Sequence, residues 1–311
     1  MSTSQVGATL IGTWAADNLT VNANATGVSI DGGKGNDFIN ATAGSASIVG
    51  GSGDDSIYAY GSGNTLVYTV GDGADNVTLS LSSASDNVLR LHGVSEADLA
   101  LSKSPVLPVG AGDTPLIINI GTNSNDSIQL FGLDHSQLLE QRPFDHISFD
   151  DGSTLSYVDL LARGVDIAGT ASAESLDGTS VDDRISGSAG NDFLRGGGGD
   201  DTYFFNAGDG ADTIIDLEGA NTLRFGEGLT RAAMSVTQSI AGTETALNLD
   251  FGNGDKVSIM RREFDGVQTF RFADGTTAMT ECANSMRGES MQFRMTLEKS
   301  TRQVKSASWC W

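Results

Sequence analysis

Residues 169–204 divide into four nonapeptides, GTASAESLD, GTSVDDRIS, GSAGNDFLR and GGGGDDTYF. The sixth residue of each is acidic: Glu174, Asp183, Asp192 and Asp201. A shifted turn, AGDGAD at 207–212, brings Asp212 to its own sixth place. An earlier stretch reads GGKGNDFIN (32–40), ATAGSASIV (41–49), GGSGDDSIY (50–58) and AYGSGNTLV (59–67), with Asp37, Ala46, Asp55 and Asn64 at the sixth positions. VGDGAD (70–75) closes it with Asp75, and both closing turns end eleven residues after the preceding sixth position, which argues for duplication. Carboxylates beside glycine-rich turns present oxygen ligands alone. That chemistry suits a hard cation such as calcium, which takes six to eight oxygens at about 2.3–2.6 Å.

Elements must bring these acids together. A glycine-rich hexapeptide turns tightly because glycine tolerates positive φ. The following triplet carries one large apolar or aromatic residue at position eight (Leu176, Ile185, Leu194 and Tyr203; Ile39, Ile48, Ile57 and Leu66) and suits a very short strand with one face inward. Flexible linkers lack this apolar beat. If two nonapeptides make one coil, turns on one side lie eighteen residues apart, so Glu174 stacks near Asp192, Asp183 near Asp201, and Asp37 near Asp55. The glycines Gly33, Gly35, Gly51, Gly53, Gly197 and Gly199 then supply turn geometry and carbonyls. Ala46 and Asn64 bring no charge. One good site is therefore expected in the first stretch and at least two in the second.

GGGGDDTYF and GSAGNDFLR resemble the GGxGxDxUx nonapeptide of RTX (repeats-in-toxin) proteins. The resemblance implies an all-β fold of calcium-loaded parallel β-rolls. Alternating stretches after each repeat block, such as NVLRLHGV (87–94), DSIQLFGL (126–133) and ALNLDFGNGDKVSIM (246–260), resemble the hemolysin-type calcium-binding related domain. Two tandem units are expected. The first spans 7–164, a roll at 7–80 and a β-rich cap at 81–164 with one short helix near 157–164. The second spans 165–280, a roll at 165–216 and a cap at 217–280.

A net charge of −22 over 311 residues argues against binding a phosphate backbone. Acids in repeat register point instead to metal ligands, so that the apo chain repels itself. No run of eighteen apolar residues is present, so no transmembrane helix is expected. The first sixteen residues lack the basic start and apolar stretch of a Sec signal. Cys282 and Cys310 alone make no disulfide framework. The family resemblance implies type I secretion from a Gram-negative cell and an extracellular location. Residues 281–311 form an atypical basic tail, of a composition that suits disorder, open to three readings: a secretion signal, a partner-binding segment, or a foreign end from an altered reading frame.

HExxH, GxSxG and Walker A motifs are absent, and His92, His135 and His146 have no metal-ligand spacing. The expected function is that of a non-enzymatic, secreted calcium-binding protein whose ions drive folding outside the cell. Its partners would be the type I secretion machinery and a cell-surface or matrix component. The alternative is the non-catalytic part of a secreted enzyme or cytolysin.

Overall fold

The computed structural model describes residues 7–22, 25–42, 44–104, 114–121, 125–241, 244–261, 266–282 and 293–298. Among the described residues the regular structure is almost entirely β-strand, and the chain divides into two compact units, Met1–Val165 and Asp166–Trp311. Among the described residues no helix is long and apolar enough to cross a membrane.

The first unit is a parallel solenoid of two ladders. One stacks Thr9–Ile11, Ser29–Lys34, Ser47–Ser52, Thr65–Thr69, Val88–His92 and His146–Ser148, and Thr154–Ser156 then pairs antiparallel. The other stacks Asn18–Val21, Phe38–Ala41, Ser56–Ala59, Ala74–Leu79 and Ser127–Leu130 in parallel, followed by two antiparallel strands, Leu116–Ile120 and Leu99–Lys103. Register follows the apolar beat: Ile30, Ile48, Leu66 and Leu89 align in one ladder, and Ile39, Ile57 and Val77 in the other. All seven are buried. Each is worth about 1.5–3 kcal/mol of burial, offset by the entropy of ordering its coil.

The second unit repeats the plan. Leu176, Leu194, Ile214 and Ile259 align on one side, and Ile185, Tyr203, Leu223 and Phe270 on the other. Larger residues fill its far end, where Phe205, Phe225, Phe251, Phe270 and Phe272 are in ring contact.

The stretches expected to form β-rich caps begin by continuing the same ladders and then turn into antiparallel pairs. Val88–His92 and Asn221–Phe225 lie directly on the preceding coils, because their alternation presents the same inward apolar positions. The expected helix is Tyr157–Leu161, capped by Ser156 accepting from the Asp159 N–H, and the chain leaves it at Gly164 with φ of 77°. The hairpin strands Leu99–Lys103 and Ser235–Ala241 were not legible as strands. In the tail, Phe293–Glu298 pairs antiparallel with Thr277–Cys282, while 283–292 and 299–311 lie outside the described residues.

Candidate metal centre

Each sixth-position acid stands where a turn enters a strand, and one of its oxygens serves the backbone. Asp37, Asp55 and Asp75 each accept, through Oδ1, the N–H of the sixth residue one coil earlier: Asp17 at 2.8 Å, Asp37 at 2.7 Å and Asp55 at 3.0 Å. In the second unit Asp192 accepts from Glu174 (2.8 Å), Asp212 from Asp192 (3.0 Å) and Asp201 from Asp183 (2.8 Å). The eighteen-residue stacking expected from the repeat is thus present as a hydrogen-bonded ladder. Asparagines make the same bond: Asn64 accepts from Ala46, Asn87 from Asn64 and Asn221 from Asp201. The ladder therefore needs an oxygen but no charge.

The second oxygen accounts for the charge. In Asp37, Asp55, Asp192, Asp201 and Asp212, Oδ2 is buried and has no hydrogen-bond partner. In the first four, Oδ2 lies over the first glycine of its own turn, where an added Cβ would collide with it. An isolated buried carboxylate oxygen costs several kcal/mol, on the order of a lost charged hydrogen bond or more. Five such oxygens at equivalent places in stacked turns fit a bound cation.

Three further turns are closed. Asp17 accepts from Thr13 N (2.6 Å) and Oγ1 (2.8 Å), and Glu174 from Thr170 N (2.5 Å) and Oγ1 (2.8 Å). Asp183 accepts from Thr179 N (2.6 Å) and Oγ1 (3.1 Å). Position two separates the classes. In the open turns it is Gly33, Gly51, Ser188, Gly197 or Gly208, all at positive φ between 64° and 102°. The threonines stay out of that region, as β-branched residues must, and turn their N–H onto the carboxylate.

Burial raises these acids, and neighbouring carboxylates raise them further against the lowering effect of the ladder bond. Asp55 is pushed up to about 6, Asp212 to about 7 and Asp75 to about 8. Asp37, Asp192 and Asp201 also rise for the same reasons. Among the described residues no three His, Cys, Asp or Glu side chains form a metal-holding group. A cation here would draw on backbone carbonyls as well. The turns offer them: a Cβ on Gly51 or Gly53 would strike the carbonyl oxygen of Gly33 or Gly35, one coil back. Gly33, Gly35, Gly197 and Gly199 likewise have positive φ. An all-oxygen set fits calcium.

Several participants gave no sequence signal, because they arrive from distant segments. Asp126 accepts from Gly71 N–H (3.1 Å) and Tyr68 Oη (3.2 Å), and Asp255 accepts from Gly208 N–H (2.9 Å), so each closing turn is covered by an acid about fifty residues downstream. Asp216 joins Tyr203 (2.7 Å) near the last nonapeptide. The histidines lie elsewhere: His92 Nδ1 is 2.5 Å from Asp150, His146 Nδ1 2.9 Å from Asp145, and His135 Nε2 2.9 Å from the Thr114 carbonyl.

Comparison with known proteins agrees with this geometry. The RTX calcium-binding nonapeptide repeat matches in four copies, at 11–46, 41–77, 177–209 and 204–228. Those spans contain all five open carboxylates. No curated protein matches the chain. Among solved structures it is similar to the extracellular lipase LipA from Serratia marcescens, at TM-score 0.27 and 15% identity, over 78% of this chain and 40% of the lipase chain. The chain thus spans less than half the length of that relative. The chain carries RTX calcium-binding nonapeptide repeats in both of its units.

Proposed function

We propose that this is a non-enzymatic, secreted protein in which calcium bound between β-roll turns drives folding outside the cell, in the service of a surface, matrix or host-interaction role. The observation that carries this reading is the set of five buried Oδ2 atoms without partners. Bound calcium would supply the positive charge that these carboxylates lack. Asp37 and Asp55 in the first unit, and Asp192, Asp201 and Asp212 in the second, would hold it. Their ladder bonds fix one oxygen to the adjacent coil and aim the other into the turn. Because these turns exist only in the folded solenoid, binding free energy is also folding free energy. A calcium-poor cytosol would leave the chain loose and fit for export, and a calcium-rich exterior would close it. The absence of HExxH and GxSxG motifs supports a role without catalysis.

Far-UV circular dichroism during a calcium titration, with magnesium as control, tests this reading. The expected result is a calcium-specific gain of β signal that Asp55→Asn combined with Asp201→Asn shifts to higher calcium. A fully folded chain that binds no calcium would overturn it.

A further inference from the structure

The coil after the last nonapeptide of the second unit departs from the repeat in one respect. Its turn, DLEGAN at 216–221, has an acid at position one, where the other turns have glycine, alanine or valine, and asparagine at position six. Asn221 still keeps the ladder, and Thr222 stacks on Thr202, so this turn is a true coil. The Asp216 side chain reaches back to the turn below. A Cβ on Gly196 would collide with Asp201 Oδ2, Tyr203 Oη and Asp216 Oδ2, so the three oxygens converge on one point. Tyr203 Oη donates to Asp216 Oδ2 at 2.7 Å. Asp201 is 1% exposed and Asp216 2%, and Asp201 Oδ2 accepts from no donor but faces the Asp216 carboxyl, so that without an ion the two must share a proton.

We propose that Asp201 and Asp216 hold a cation between them at the final turn of the second roll, with Tyr203 as the positioning residue that orients Asp216. The inference rests on the calcium reading above and extends it to a ligand outside the nonapeptide frame. Two facing carboxylates carry the charge that matches one divalent ion. The oxygen-only donors select a hard ion, calcium rather than zinc or copper. Because Asp216 enters from the coil beyond the repeats, this ion would pin the last repeat coil to the segment that follows it. A hydrophobic core alone would leave that junction held by packing.

The test uses the full chain and terbium as the probe, because terbium occupies calcium sites and emits when excited through a nearby tyrosine. In a Tyr68→Phe background, which removes the buried tyrosine at the closing turn of the first unit, tyrosine-excited emission is expected to be strong. Tyr203→Phe should lower it by the share of this site. Asp216→Asn, which keeps an acceptor for Tyr203, should lower the calcium count by one in equilibrium dialysis, with the calcium-loaded β signal retained. An unchanged count and emission in Asp216→Asn would overturn the proposal and leave the repeat sites standing. Should Asp216→Asn not fold, an emission that Tyr203→Phe leaves unchanged overturns it equally. Absence of any calcium uptake by the unaltered chain would instead defeat the functional reading itself.

Discussion

Asn64, Asn87 and Asn221 make the same inter-coil bond as the aspartates, which isolates what the aspartate charge contributes. Asp55→Asn should keep the ladder while removing the carboxylate whose Oδ2 has no partner. Its calcium affinity is expected to fall about tenfold or more, a loss of at least ~1.4 kcal/mol. The calcium-free melting temperature should rise, because an uncompensated buried charge is gone. Calorimetry with and without chelator reads both signs. Asp183→Asn should do less to calcium uptake than Asp201→Asn, since Thr179 already occupies Asp183. The pH dependence follows from burial. Asp55, Asp212 and Asp75 are raised to about 6, 7 and 8 from 3.8, so the folded calcium-free chain binds protons that the unfolded chain releases. Calcium-free stability should therefore increase as pH falls through that window and be lost again as pH rises through it. Calcium needs the same groups deprotonated, so the loaded protein should weaken over the same fall in pH. Thermal melts across the window, with calcium and with chelator, should show slopes of opposite sign. The sixth-position acids and the pairs they stack in were readable from spacing alone. That Thr179 closes the turn around Asp183 was not, because it depends on the φ of one residue.

At the scale of the turn and its strand, position two distinguishes the five open carboxylates from the three closed ones. Gly51 sits at φ of 97°, and a Cβ there would meet the Gly33 carbonyl oxygen. Gly51→Ala is expected to destabilise by more than the ~1–2 kcal/mol of left-handed backbone strain alone, in calcium as well as without it. Gly71 has the same φ with nothing within 4 Å of an added Cβ, so Gly71→Ala should cost only the strain. Urea melts of the pair in saturating calcium would separate clash from conformation; equal losses would refute the close-approach argument. The strands were legible because position eight is apolar in every nonapeptide. Ser235–Ala241 was not, since its alternation is weak and its pairing with Glu244–Gly252 is a tertiary choice.

For the molecule as a whole, a net charge of −22 opposes compaction until cations or protons offset it. Each site filled at a hundred times its dissociation constant should add about 2.7 kcal/mol. Chelator should accordingly lower the melting temperature far more than magnesium exchange does, and a melting temperature indifferent to calcium would contradict the coupling. The nonapeptide period by itself determined the coil length, the inward apolar residues and the side on which Asp37 and Asp55, or Asp183 and Asp201, meet. Those are local consequences of a repeat, and a repeat that stacks on itself leaves few alternatives. Tertiary structure alone decided where the ladders end, that Asp126 and Asp255 cover the closing turns, and that Asp216 folds back beside Asp201. Asp126 and Asp255 come from segments about fifty residues away, and Asp216 from a turn whose sequence breaks the repeat. No periodicity announces them, and only the packing of one coil on the next brings their oxygens together.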